Sequence, residues 1–233
     1  MQRLNHRNFP DSLARMTRRQ ATVLVGCGIA AAAIRPARAT AAVPADMLFD
    51  VSRKGDRIGT HAIRFTQDGD ALRVESQLDL TVKMAFITVY RYEQTGQDDW
   101  QDGALVRTSI RTIDDGKDTL VVAEAKEGKL VVEGPAGTYE TSLGSMTDLS
   151  FWNEGITDGP PVIDSQTGEL IKISVQPDAT ETITVRGQPV STRRFTMAAT
   201  KGRSGTVWYD DAGGLVKAIV LTRGETLAYA LAA

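Results

Sequence analysis

The stretch Leu72–Lys83, LRVESQLDLTVK, decides the fold of this chain. Its apolar residues alternate with polar ones, and only Ser76 departs from the pattern. Alternation with a period of two predicts a β-strand with one buried and one solvent-exposed face. The pattern continues without a break into Met84–Tyr90, which is apolar on both faces. We therefore expect this strand to bend over a core or to pass beneath another segment.

Signals for hairpin turns recur on both sides of this strand. Glycine and aspartate tolerate the positive φ angles that tight hairpin turns require. The signals are Lys54-Gly55-Asp56, Asp68-Gly69-Asp70, Asp102-Gly103, Asp115-Gly116, Glu127-Gly128-Lys129, Arg186-Gly187 and Ala212-Gly213-Gly214. Their spacing predicts an all-β domain, an antiparallel meander of about 11-12 strands, since a parallel sheet needs helices between its strands. So many strands favour a strongly curved sheet, a barrel or a spiral, because wide sheets twist and open edges invite aggregation.

One segment lacks the alternation. The sequence predicts one short helix near 145-152, with Ser145 as its N-cap and apolar residues up to Trp152 on one side. A loop over Gly155–Pro161 is expected to follow.

The same segment holds the candidates for ligand or partner binding, which are Phe151, Trp152 and Asn153. Large aromatic side chains usually fill a core, but loops held by a rigid scaffold often carry binding. Two alternatives follow for residues 146–170. They plug one open end of the curved sheet, or they form the lip of a pocket.

Composition and charge limit the function. The chain has 233 residues, 42% of them hydrophobic and 24% charged, which suits one globular domain behind a leader. Residues 1–39 hold seven basic residues and one acidic residue, and the rest of the chain has 20 basic and 28 acidic ones, a net charge of −8. Nucleic acid and anionic membranes require a basic face, so both are disfavoured as partners.

Residues 1–39 have the organisation of a signal peptide. Arg18 and Arg19 precede an uncharged stretch, and Ala37 and Ala39 complete a small-residue cleavage site. Paired arginines indicate the twin-arginine route, with the general secretory route as the alternative. The uncharged stretch, 21–34, is shorter than the about 20 helical residues that span a bilayer. We expect residues 40–233 to be a single domain in the periplasm, or secreted beyond the envelope, without a transmembrane anchor after cleavage.

Few residues of this domain suggest catalysis or metal binding. Cys27, the sole cysteine, lies in the leader, so no disulfide, zinc–thiolate site or cysteine nucleophile is expected. With the three residues before it, Leu24-Val25-Gly26, this cysteine is similar to the lipoprotein motif that carries a lipid on its cysteine. A lipid-bearing cysteine should end the apolar stretch, however, and Cys27 lies inside it. His61 is the single histidine after the leader and is predicted to be a structural or surface residue, because no second His or Cys accompanies it. We expect no catalytic residue, no metal site and no cofactor.

Paired carboxylates are the remaining candidates for chemistry. They occur at Asp98-Asp99, Asp114-Asp115 and Asp210-Asp211. Two carboxylates across a cleft can hydrolyse a glycosidic bond, but at predicted turns aspartate is favoured for local hydrogen bonds. Residues 114–118 suggest a calcium loop and lack its full ligand pattern.

The C-terminal hairpin Thr206–Lys217, TVWYDDAGGLVK, carries a resemblance to a known family. The other segments that carry it are Phe49-Asp50-Val51, Ile58–His61, Phe86–Glu93, Phe151-Trp152-Asn153 and Asp164–Leu170. Together they resemble an uncharacterised family of exported bacterial all-β proteins, a domain of unknown function with a twin-arginine signal peptide. The resemblance implies an envelope β-protein and assigns no catalytic residue. By fold analogy the chain is also similar, more distantly, to periplasmic curved-sheet proteins linked to envelope integrity.

These expectations favour a non-enzymatic periplasmic β-protein that binds a lipid-like ligand or an envelope protein and contributes to envelope maintenance. The alternative is a periplasmic carboxylate-dependent hydrolase acting on a glycan. An aromatic-lined hollow without facing acids would support binding, whereas a cleft with two facing acids would support the enzyme.

Export can be tested through the paired arginines. Replacing Arg18 and Arg19 with Lys is expected to block export, because the twin-arginine route depends on that pair. The measurement is the periplasmic fraction of the protein, with N-terminal sequencing of the exported form, which should begin near Thr40. Undiminished export of the double variant would contradict this route.

Overall fold

The computed structural model describes residues 43–232, and an antiparallel sheet of thirteen strands dominates it. Its strands are β1 (Met47–Arg53), β2 (Asp56–Asp68), β3 (Ala71–Met84), β4 (Ile87–Gln101), β5 (Ala104–Asp114), β6 (Lys117–Lys126), β7 (Lys129–Gly134), β8 (Gly137–Ser142), β12 (Ile173–Val185), β13 (Gln188–Ala199), β14 (Ser204–Asp210), β15 (Leu215–Thr222) and β16 (Glu225–Leu231). Three short strands form a second sheet: β9 (Met146–Thr147), β10 (Val162–Ile163) and β11 (Leu170–Ile171).

The order of the large sheet follows the chain with one exception. It runs from β12 to β16, then from β1 to β8, so the first and last strands are neighbours, with Val51 opposite Tyr229. Strands β12 and β8 are the two edges, and they do not pair with each other within the described chain. The predicted antiparallel meander is therefore confirmed. The sheet has thirteen strands rather than the expected number, and it does not close into a barrel.

The hairpins alternate between two ends of the sheet, because each strand runs antiparallel to its neighbours. The upper end, as we call it, carries the turns that follow β1, β3, β5, β7, β13 and β15. The lower end carries the turns that follow β2, β4, β6, β12 and β14. Most turns fall at the Asp-Gly and similar signals, and the turn residues Asp102 and Gly103 illustrate why, with φ angles of 51° and 78°.

The interpretation of Met84–Tyr90 as an uninterrupted strand is wrong. The chain reverses at Ala85 and Phe86, so that β3 and β4 form a long hairpin. Ala85 has a φ of 53°, a conformation uncommon for a residue with a Cβ atom. The apolar run thus forms the tip of a hairpin at the upper end, and the absence of a glycine there concealed the turn.

The predicted short helix near 145-152 is also largely wrong. Residues Met146–Thr147 form β9, which pairs in parallel with β10, and a 3-10 turn covers only Ser150–Trp152. The Ser145 hydroxyl lies 2.9 Å from that of Thr141 instead of capping a helix. The expected loop contains a second 3-10 turn, Glu154–Asp158, and a third one covers Thr200–Gly202. Hydrogen bonds to β10 pair backbone N–H and C=O groups of this segment that would otherwise have been paired within a helix.

The crossing segment, as we call residues 143–172, connects the two edge strands β8 and β12 across the inner face of the sheet. Trp152 is its main anchor in the core, with 7% of its surface exposed. Its ring meets those of Phe65 and Trp100 edge-on, at centroid distances of 5.0 and 5.7 Å. The segment thereby covers apolar surface that the open sheet alone would leave in water.

Truncating the anchor should therefore destabilise the whole domain. Trp152→Ala is expected to lower the free energy of unfolding by about 3–5 kcal/mol, because it removes a large buried side chain and leaves a cavity. Leu120→Ala is the matched control, since Leu120 is 54% exposed on β6. Denaturant unfolding of both variants measures the difference. Equal stability of the two would contradict the assignment of Trp152 to the core.

Candidate functional site

A cavity of about 580 Å³ lies between the inner face of the sheet and the crossing segment. Apolar side chains of several strands line it, among them Ile58, Leu78, Leu80, Val82, Val220 and Leu227. Leu149, Phe151 and Ile156 contribute the wall on the side of the crossing segment. A volume of this order, with mostly apolar walls and a few polar groups, is typical of a site for a small organic molecule.

His61 is the most deeply buried polar group of the cavity wall. It lies on β2 opposite Leu78, with 1% of its surface exposed. Neither Nδ1 nor Nε2 has a hydrogen-bond partner within residues 43–232. The ring packs against Phe151 and Tyr229, at centroid distances of 5.5 and 6.0 Å. Burial lowers the pKa of His61 to about 4, so the ring is neutral at pH 7 and offers one donor and one acceptor.

A polar cluster occupies another part of the wall. The amide Nε2 of Gln94 donates hydrogen bonds to the hydroxyls of Thr112 and Ser165, each at 2.9 Å. The backbone N–H of Ser165 donates to Asp148 at 3.1 Å. Arg203 lies 3.3 Å from Asp148. Gln94, Asp148, Ser165 and Arg203 all line the cavity, so its wall is polar on this side.

The two acids of this cluster differ in protonation. Removal from water, with repulsion from Asp164 added, raises the pKa of Asp148 to about 6. Burial also opposes the ionisation of Asp164, but Arg203 and the backbone N–H groups of Gln166 and Thr167 outweigh it and lower the pKa of that carboxyl. Arg203 also forms an ion pair with Asp164, which is 2% exposed. The cluster therefore holds one firmly ionised carboxylate and one that takes up a proton in mildly acidic solution.

The cavity opens to solvent at the upper end. Its lining there includes Met84 and Val89, which are 69% and 46% exposed. Arg53 and Glu225 form a second part of this rim and are joined by an ion pair of 2.5 Å. Next to it, the hydroxyl of Tyr90 donates to Asp114 at 2.7 Å, and burial and that carboxylate together raise the pKa of Tyr90 to about 12.

The three residues predicted to bind a ligand or partner have different positions. Phe151 lines the cavity, and its carbonyl accepts a hydrogen bond from the Tyr209 hydroxyl at 2.7 Å. Trp152 points into the core instead. The side chain of Asn153 caps the following turn by accepting from the N–H of Gly155 at 2.9 Å. Binding by these residues stays a prediction, and only Phe151 contacts the cavity.

The paired acids do not form a common site. Asp98 is buried and accepts hydrogen bonds from Thr108 and Thr147, and burial raises its pKa to about 6. Its neighbour Asp99 pairs with Arg73 at 2.8 Å. None of the three predicted pairs lines the cavity. Successive residues of a strand face opposite sides of the sheet, which explains why adjacent acids separate.

The other acid pairs serve the hairpin turns and their neighbours. Asp114 pairs with Arg223 at 2.5 Å, and Asp118 of the suggested calcium loop pairs with Arg111 at 2.6 Å. Asp210 accepts hydrogen bonds from the backbone N–H groups of Ala212 and Gly214. Among residues 43–232 no three His, Cys, Asp or Glu side chains are grouped so that they could hold a metal ion.

Comparison with known families settles the family of the chain. The model of a domain of unknown function, DUF6134, matches residues 49–232. The chain belongs to this family. The matched region includes the whole crossing segment and the large sheet, apart from the first two residues of β1. Among curated proteins, none is significantly similar to the chain.

A solved structure shares the fold of this DUF6134 domain. It is a beta-barrel-like protein of the domain of unknown function DUF1849 from Brucella abortus, and its match has a TM-score of 0.61 at 12% sequence identity. The match covers 82% of this chain and 96% of the other. At that identity the likeness concerns the fold alone.

No helix within residues 43–232 is long and apolar enough to cross a membrane.

Sequence reasoning missed most of the cavity wall. It gave His61 a structural or surface role, and it did not single out Asp148 or Arg203. Arg203 lies 55 residues from Asp148 and 39 from Asp164, so nothing in the local sequence links the three. The one available signal was the lone histidine within an alternating strand.

The buried neutral histidine predicts a specific pH dependence. In the unfolded chain His61 has an ordinary pKa of about 6.5, above that of the folded state. A lowered pKa contributes stability that is present above pH 6.5 and is lost as the pH falls towards 4. Relative to His61→Phe, the wild type should lose about 3 kcal/mol over this range, as measured by denaturant unfolding at several pH values.

The comparison with His61→Phe removes the contribution of other groups. Asp98 and Asp148 have raised pKa values, so they stabilise the folded state as the pH falls through about 6, the opposite direction to His61. Both proteins contain these acids, and their effect cancels in the difference. Parallel stability profiles for the two proteins would contradict a neutral, buried His61.

Proposed function

We propose that this protein is exported to the periplasm and binds a lipid-like molecule in the cavity without transforming it, as part of envelope maintenance. The observation that carries the proposal is a cavity of about 580 Å³ with apolar walls and a buried, unpartnered histidine within residues 43–232. The signal peptide predicted in residues 1–39, which lie outside the described residues, supports the compartment.

The apolar walls favour a ligand that is mostly hydrocarbon. The aliphatic side chains of Leu78, Leu80 and Val82 form a row on the inner face of β3 and line the cavity. Apolar surface gains about 25 cal/mol for each Å² removed from water, and an aliphatic chain gains this on entering such a cavity. Tyr92 and Phe151 add aromatic surface. A strongly hydrated ligand, such as a large glycan, would leave its hydroxyl groups facing hydrocarbon.

The polar groups favour a ligand with at least one hydrogen-bonding end. An unpartnered buried imidazole loses its bonds to water on folding, and a ligand hydroxyl or carbonyl would restore one of them. Because His61 is neutral, it suits an uncharged group better than a phosphate or a carboxylate. Arg203, which lines the same cavity, is already paired with Asp148 and Asp164.

A hydrolase is the second candidate, and one observation favours it. Asp148 lines the cavity and has its pKa raised to about 6, a value suited to a general acid. The other carboxylate of the wall, Glu225, forms an ion pair with Arg53 that lowers its pKa. Carboxylate chemistry on a glycan requires a second acid across the cleft. Glu225 is ionised, as the second acid must be, but Arg53 holds both of its oxygens, at 2.9 and 2.5 Å, and this engagement favours binding over hydrolysis.

Filling the cavity should abolish binding without unfolding the sheet. Val82→Trp places a bulky ring on the inner face near the rim, and it is expected to prevent the uncharged fluorescent probe N-phenyl-1-naphthylamine from binding. Thr81→Trp is the matched control, because Thr81 adjoins Val82 on β3 and is not part of the wall. Fluorescence titration measures binding, and thermal melts confirm that both variants fold.

Native mass spectrometry of the protein purified from its own envelope complements the titration. A copurifying lipid that is lost in Val82→Trp and kept in Thr81→Trp is the expected result. Failure of the wild-type protein to bind either the probe or any copurifying lipid would contradict the proposal. Glycan cleavage that disappears in Asp148→Asn would support the hydrolase instead.

A further inference from the structure

We propose that the tip of the β3–β4 hairpin inserts into the surface of a lipid bilayer and holds the cavity rim against it. The hairpin tip comprises residues Met84, Ala85, Phe86 and Ile87 at the upper end of the sheet. This inference goes beyond the proposed function, since it concerns the surface at the mouth of the cavity, and it does not depend on what the cavity binds.

Exposure of the hairpin tip is the first observation. Phe86 is 100% exposed, Ile87 71% and Met84 69%, the three highest values among the large hydrophobic residues of the described chain. They are consecutive but for Ala85, so they form one apolar patch. Single exposed apolar residues are common on protein surfaces, but a cluster at a protruding tip marks an interaction site.

The turn itself departs from the chemistry of most other hairpins of the sheet. Six other two-residue turns of the sheet place a glycine second, as at Gly55 and Gly103, after a charged residue. The β3–β4 turn has Ala85 and Phe86 instead, and Ala85 keeps a φ of 53° without the freedom of glycine. A glycine or a polar residue would form this turn at lower cost. The apolar residues are therefore explained better by contact with a partner than by folding.

A bilayer fits the hairpin tip better than a protein partner does. A stable protein interface buries about 800 Å² on each side, far more than three side chains at a tip can supply. Insertion into the interfacial layer of a membrane requires only a few apolar side chains. The patch is also continuous with the cavity, because Met84 belongs both to the tip and to the cavity wall.

The upper end carries charges of both signs beside the hairpin tip. Lys83 flanks the tip, and the two neighbouring turns expose Lys54 with Asp56 and Asp115 with Lys117. Mixed charges of this kind do not give the strongly basic face that binding to an anionic membrane requires. Insertion of apolar side chains must therefore carry the contact with lipid, whatever the charge of the headgroups.

Vesicle flotation of the exported protein tests the proposal. The wild type is expected to float with phosphatidylcholine vesicles and with vesicles that also contain phosphatidylglycerol, and to remain bound in high salt, because apolar insertion is not screened. Phe86→Ser and Ile87→Ser should each reduce the bound fraction about tenfold. Leu120→Ser is the matched control, because it removes an exposed leucine from β6, away from the tip. This variant should bind vesicles as the wild type does.

Two further variants make the outcome unambiguous. Phe86→Trp should show a blue-shifted fluorescence and quenching by brominated lipid when vesicles are present. Val82→Trp, which fills the cavity, should still float, so failure of ligand binding and failure of membrane docking are separable. Absence of wild-type flotation, release by salt, or equal binding of Phe86→Ser and the wild type would each overturn the proposal. The proposal would also be overturned if the wild type captured a partner protein, Phe86→Ser lost that capture, and neither protein bound vesicles.

Discussion

The contact of Trp152 with Phe65 and Trp100 is the interaction on which the rest of the architecture depends. A thirteen-stranded sheet that stays open has a large inner face and two free edges. Curvature alone cannot bury that face, and the crossing segment covers it from one edge strand to the other. The aromatic contacts fix where the segment lies, and its position in turn determines how much of the inner face stays uncovered. The cavity is the part that the segment leaves open.

This relation explains why one segment both completes the core and forms part of the cavity wall. Trp152 contributes to the core, while the adjacent Phe151 faces the cavity and packs against His61. Plug and lip are therefore not exclusive descriptions of the crossing segment. Neighbouring residues in a 3-10 turn point in different directions, so one short turn seals the core and shapes a pocket wall.

Prediction from sequence succeeded where the physical signal is local. The alternation in Leu72–Lys83 and the Asp-Gly turns depend on neighbours along the chain, and both appear in the structure. It failed at Ala85, where a turn forms without a turn residue, and at Met146–Thr147, where pairing with a distant strand replaces a helix. The cavity wall escaped prediction for a related reason, since the cluster of Asp148, Asp164 and Arg203 exists only after the segment crosses the sheet.

The pairing of β1 with β16 has a consequence for how the sheet assembles. Strand β1 lacks its second neighbour until β16 pairs with it, and Ala232 then donates a backbone hydrogen bond to Leu48 at 2.7 Å. Without that pairing the sheet consists of two separate ladders, β1–β8 and β12–β16, each with local hairpin contacts. Hairpins close quickly, whereas a contact between strands far apart in the sequence closes late. Pairing of β1 with β16 is thus expected to be the late step that joins the two ladders into one sheet.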